Sequence, residues 1–257
     1  MTTTEIYPSS TTNGAATSRS HTDLRLAGGK IAGLAKGERL AEFDDQAWGS
    51  WSRYLAQRES PLRLEKVTGA KRLSALWWEI PHESVDADTR QLSDLLATVA
   101  KGKKKSNEGA SLQATKEWLA ERCPGGVSQE TDNIGFAVEC LCLAHALPRL
   151  AAPLGGQLWC ELLQSLIAVA ADSSAIDPET QPVTFQLLAG ELPLTLWYLF
   201  PEIDACRKLG KTTRRSIARG VEQLLDGNGE IAGQHFGVAR VLLASWVRCA
   251  LLGDIAQ

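Results

Sequence analysis

With 257 residues, 44% of them hydrophobic and 22% charged, the chain can bury a sizeable core as one large domain or two small ones. A net charge of −3 argues against a dedicated nucleic-acid binder, whose affinity rests on clustered Lys and Arg neutralising phosphates. No charge-free apolar run approaches the roughly 18 residues of a membrane span, and no basic segment plus apolar core opens the chain as a secretory signal, so the expectation is a cytoplasmic protein without a membrane partner.

In chain order, residues 1–35 are rich in Ser, Thr and Gly and read as a disordered arm, because they offer too little apolar surface to offset the entropy of ordering. Residues 36–257 read as the helical domain, with a sub-boundary near 125–131. Phe43, Trp51, Tyr54 and Leu55 share one helical face, as do Leu92, Leu95, Leu96 and Val99, with Asp88 placed to cap the second helix. The basic run "KGKKK" at 101–105 suits a helix end, where cations complement the dipole. "SNEGAS" and "CPGG" then punctuate a helix carrying Leu112, Trp118 and Leu119.

From about 132 the segments lengthen and become more apolar, with breaks at "APLGG", "DSSAIDPETQP", "FPEID" and "DGNGE". Helical spacing recurs in Ile134, Val138, Leu141 and Ala144, in Trp159, Leu162, Leu163, Leu166 and Ala170, and in Ile217, Val221, Leu224 and Leu225. Pro193 should break or restart a helix, leaving Glu191 at the helix entrance. Strand-like alternation is almost absent. The fold is therefore expected to be all-α: serial antiparallel helical hairpins forming a partial α/α toroid or a bundle, with no strict solenoid period.

The chemistry legible in single residues is sparse. Six cysteines, Cys123, Cys140, Cys142, Cys160, Cys206 and Cys249, lie mainly in apolar segments and read as buried thiols. Cys140 and Cys142 would point about 200° apart on a helix, so no metal site is expected. Asp226, Asn228 and Glu230 suggest an EF-hand, but Ile231 falls where that loop needs glycine and Gly237 where it needs glutamate. Gly227 and Gly229 are better read as positive-φ residues closing the preceding helix. His145, inside an apolar helix, reads as a hydrogen-bonded core residue.

The eight tryptophans are core candidates before they are sugar platforms; Trp197 and Tyr198 in "LWYLFP" are the best substrate-stacking pair. No phosphate loop or nucleophile elbow is present, and no cofactor is implied.

The order "LLDG…G…H" before an apolar helix resembles heparinase II/III-type polysaccharide lyases, in which an "LLxDGG" turn leads to a "YH" pair at a helix start. The matching residues are Leu224, Leu225, Asp226, Gly227, Gly229 and His235, and Asn133 falls roughly where that family places an "NH" pair. Ile134 replaces the histidine of that pair, and Gln234 stands where the tyrosine before His235 would be.

The resemblance implies a helical toroid domain acting by β-elimination on an acidic polysaccharide. In that chemistry Asn133 neutralises the uronate carboxylate, His235 serves as base or its helper, and Arg240 helps line the groove. The β-sandwich half of that family would lie beyond Gln257. The alternative is a non-catalytic helical protein-interaction module, whose unfinished apolar face binds another copy or another chain.

Overall fold

The computed structural model describes residues 22–27, 34–57, 80, 85–100, 108–122 and 134–255. The expected readings of "KGKKK", "CPGG", Cys123 and Asn133 lie outside them. Within the described residues the fold is all-α, with α1 (Asp45–Gln57), α2 (Ala87–Ala100), α3 (Glu108–Arg122), α4 (Ile134–Asp172), α5 (Pro182–Phe185), α6 (Leu192–Leu199), α7 (Asp204–Leu224) and α8 (Ala239–Ile255). Isolated bridges take the place of strands there.

The "APLGG" break folds α4 on itself. Gly155 adopts φ 72°, a left-handed conformation that side chains resist, and the chain reverses there. Trp159 Nε1 donates to the Leu147 carbonyl at 2.9 Å, twelve residues back. A straight helix would hold those residues about 18 Å apart, so the limbs 134–154 and 156–172 form a hairpin. Both limbs bury their apolar residues almost completely, and Ile134 and Asp172 therefore share one end, here called the loop end.

The chain then alternates. The stretch 182–199 leaves the loop end and finishes with Phe200, whose ring meets Trp159 edge-on at 5.4 Å beside the kink. Helix α7 returns, so that Arg219 donates to the Ser174 carbonyl and Gly220 lies against Phe185. The Gly233–Val238 3₁₀ turn packs on α5, and α8 sets out again toward the kink end.

Helices α2 and α3 flank the first limb through Glu139, a buried carboxylate. It accepts from Thr89 Oγ1 at 2.6 Å and Trp118 Nε1 at 2.9 Å, with Arg122 at 3.7 Å. Asp86, not Asp88, caps α2: its Oδ1 accepts the Thr89 N–H at 2.7 Å.

At the kink end, Trp48, Trp51 and Trp159 form an aromatic cluster, and Trp48 donates to the Ala151 carbonyl at 3.1 Å. Residues 22–27, assigned to the arm by composition, are ordered on this end. Leu24 and Leu26 point inward between outward Asp23 and Arg25, and Leu26 pairs with Ile203 and takes a hydrogen bond from Gly37. A two-residue alternation supplies enough apolar surface to hold so short a segment.

Two backbone features set how closely the helices approach. Pro193 lacks the N–H that would bond to the carbonyl four residues back. The chain absorbs this as a π-turn over Gln186–Glu191, with the Leu192 N–H reaching Leu187, five residues back. The helix is thus widened rather than broken.

On α7, a Cβ at Gly210 would sit 2.5 Å from the Trp197 side chain. Gly210→Ala is expected to lower stability by about 1–3 kcal/mol through overpacking. Gly49→Ala, with open space around it, should instead add roughly 0.5–1 kcal/mol. Urea denaturation of both variants checks the contrast.

Candidate functional site

The turn after α7 is held by its own side chain. Asp226 Oδ1 accepts the N–H groups of Asn228 at 2.9 Å and Glu230 at 3.0 Å, and Leu225 bridges Ile231. An oxygen so occupied serves a turn better than a cation, and no group of three or more metal-ligating side chains gathers among the described residues. Only Gly229 needs a positive φ, at 79°; Gly227 does not, and both lie beyond the extended Leu225 that ends the helix.

His235 follows in the 3₁₀ turn, 5% exposed, its Nε2 3.3 Å from Gln234 Nε2. Arg240 is exposed in the first turn of α8, at the same end of the bundle. Asn133 lies outside the described residues. Trp197 and Tyr198 are not brought here. They lie about 18 Å along the helix from Phe185, toward the kink end, with Tyr198 buried and Trp197 closed over Gly210. The stacking pair and His235 therefore do not share a groove.

A polar cluster that the residue patterns did not reveal occupies the middle of the bundle. Glu191 and Arg248 are each 1% exposed and form a two-point pair, with Nε–Oε1 at 2.6 Å and Nη2–Oε2 at 2.8 Å. Ser245 Oγ donates to Glu191 Oε2 at 2.7 Å. Gln186 donates to Ser245 at 3.1 Å and accepts from Trp246 Nε1 at 3.0 Å. Burial opposes the Arg248 charge, but the Glu191 carboxylate and its hydrogen bonds outweigh it and hold that pKa above its ordinary value. The π-turn carries Gln186 and Glu191, both buried, against α8. Burial pushes His145, on the facing limb, down to about 4, against the pull of Glu191 and with the push of Arg248.

The described cysteines are all buried free thiols, and burial raises Cys142 to about 12. Such groups are poor nucleophiles and poor metal ligands.

Two surfaces remain. The outer side of α7 is basic: Lys208, Lys211, Arg214, Arg215 and Arg219 are exposed along it. The outer side of α8 carries Leu243, 51% exposed, Val247, 40% exposed, and Ala250, exposed in the same row beyond Arg240, while Phe236 in the preceding 3₁₀ turn is 66% exposed. By length and composition 134–175 and 233–253 could each cross a membrane. The first is mostly buried in the fold, and the second carries Arg248 into the core pair. No protein-family model, curated protein or solved structure matches this chain.

Proposed function

We infer that this chain is a non-catalytic helical interaction module whose docking surface is the outer face of α8. The observation that carries this reading is the row of Leu243, Val247 and Ala250, left open on a helix whose inner face is packed, with Phe236 exposed in the 3₁₀ turn just before it. Exposed apolar residues scattered singly are ordinary, but Leu243, Val247 and Ala250 on successive turns of one helix mark a contact surface. The buried Glu191–Arg248 pair fits the same reading, since it fixes α8 against the π-turn and so presents a rigid face.

At low protein concentration, a hydrophobic-surface dye should fluoresce on the native chain. Leu243→Glu with Val247→Glu should abolish that signal without altering helix content, because both side chains already face water. A native chain that binds no dye would remove the basis for the docking surface.

A second reading, β-elimination on an acidic polysaccharide by a toroid-type domain, has support from two observations. The serial hairpins gather Ile134, the 172–182 connection, His235 and Arg240 at one end, and α7 offers a basic stripe to a polyanion. Against it, a base acting on a polymer must touch it, and His235 is nearly closed off. This reading predicts ultraviolet absorbance from unsaturated uronate products with some member of a panel of acidic glycans, lost in His235→Ala. Silence across the panel from the native chain would retire it.

A further inference from the structure

We propose that the outer face of α7 is a second docking surface, and that its occupant is an acidic segment of another polypeptide, about 18 Å long. This surface is separate from that of α8, and its test does not depend on the α8 reading.

Between Asp204 and Glu222 the helix carries Arg207, Lys208, Lys211, Arg214, Arg215 and Arg219 and no acid. The net charge of the whole chain is −3, so this excess is local. Successive residues turn by about 100°, which places all six cations within one arc of about 140°. The opposite arc is the packed one, where Cys206, Gly210, Thr213, Gly220 and Leu224 are buried. Arg207 is half-buried, and the other five cations are exposed.

Two of these cations have partners in the chain. Lys208 pairs with Asp204 at 2.6 Å, and Arg219 donates to the Ser174 carbonyl and lies over the Phe185 ring. Lys211, Arg214 and Arg215 enter no ion pair among the described residues. They repel instead. Arg207 and Lys211, Lys211 and Arg215, and Arg215 and Arg219 stand four residues apart, where like charges destabilise a helix. An anionic partner turns that repulsion into attraction.

Charge selects an anion, and the ends of the run select which kind. Positions 204, 208, 211, 215, 218 and 222 form the outermost line of the helix and read Asp, Lys, Lys, Arg, Ala, Glu. The cations span about 18 Å, closed at each end by an acid, and the two acids stand about 27 Å apart. A nucleic-acid duplex or an anionic bilayer extends past both ends and meets Asp204 and Glu222 along with the cations. The face also carries no aromatic side chain on which bases could stack. A short segment with carboxylates at one-turn intervals and basic ends meets its opposite charge throughout. Arg214 and Arg215 can each hold a carboxylate through two parallel N–H groups.

The probe is a labelled helical peptide of about 12 residues with Glu along one face and Lys at both ends. Its control is a scrambled peptide of the same composition. Fluorescence anisotropy with the full chain at low salt should show saturable binding of the probe, weakened about tenfold or more at physiological ionic strength. Lys211→Glu with Arg215→Glu should weaken it by at least about tenfold without altering helix content, because both side chains face water. Glu222→Lys should weaken binding of the probe and strengthen binding of long polyglutamate, since it opens one end of the run.

A scrambled peptide bound as tightly as the probe, or Glu222→Lys strengthening both ligands, would mean that any polyanion suffices and overturn the proposal. Tighter binding of a DNA duplex would assign the face to nucleic acid, and tighter binding of phosphatidylserine vesicles to a membrane surface; either overturns it. A chain that leaves the probe unbound at low salt would also overturn it, whatever the dye reports at α8.

Discussion

Glu191→Leu is expected to lower the stability of this chain by about 3–5 kcal/mol, a large share of what a domain of this kind possesses. The cost comes less from the lost attraction than from what is left behind. Arg248 would remain 1% exposed with its charge uncompensated, and Ser245 would lose the acceptor it holds at 2.7 Å. Removing both charges is a different matter: a buried ion pair replaced by apolar residues of similar volume is often neutral or better. Glu191→Leu with Arg248→Met should therefore recover most of the loss, and urea midpoints of the two single variants and the double give the coupling directly. A double variant no more stable than Glu191→Leu alone would mean that the pair is not the source of the penalty. Because the pair also ties the π-turn to α8, the double variant should show a looser α8, seen as faster amide exchange over 239–255.

The long helices were legible because their cores repeat at helical spacing, and Trp159, Leu162, Leu163 and Leu166 are buried as that spacing requires. The "APLGG" reversal was equally plain, since glycine there takes a conformation other residues resist. Pro193 was half legible. The pattern implies a break, but neighbouring helices keep the chain helical and the lost hydrogen bond is absorbed as a π-turn.

The Glu191–Arg248 pair had a signal that periodicity does not read: one acid alone in "LLAGELPLTLWYLF" and one arginine alone in "ASWVRCALL". Two opposite charges, each embedded in apolar helix, need a partner; which partner is a matter of topology across 57 residues. The open face of α8 was hidden for a related reason. Val241, Leu242, Ala244 and Leu252 are buried while Phe236, Leu243 and Val247 are exposed, and a helix apolar on every side does not announce which side meets the core. Leu24 and Leu26 are buried although composition assigns them to the arm, because an alternation of two leucines is too short to stand out from its polar surroundings.

The second large effect expected is a loss of stability in mild acid through His145. In the folded chain burial holds its pKa at about 4, below the ordinary 6.5. As pH falls through 6.5 the unfolded chain takes up a proton at His145 and the folded chain does not until about 4. The unfolded state then binds more protons across that window, so stability falls with falling pH, and the contribution levels off below it. The full effect is up to about 3 kcal/mol, and less where water reaches the partly buried ring.

His145→Leu removes this titration. Urea midpoints of the native chain should drop between pH 7 and pH 4.5 by more than those of the variant, and parallel profiles would contradict the assignment. The cause can be separated too. Glu191 and Arg248 push the His145 pKa in opposite directions, so removing both should leave most of the acid sensitivity in place if burial dominates. An acid response that vanished in Glu191→Leu with Arg248→Met would transfer the effect from the imidazole's burial to the ion pair itself.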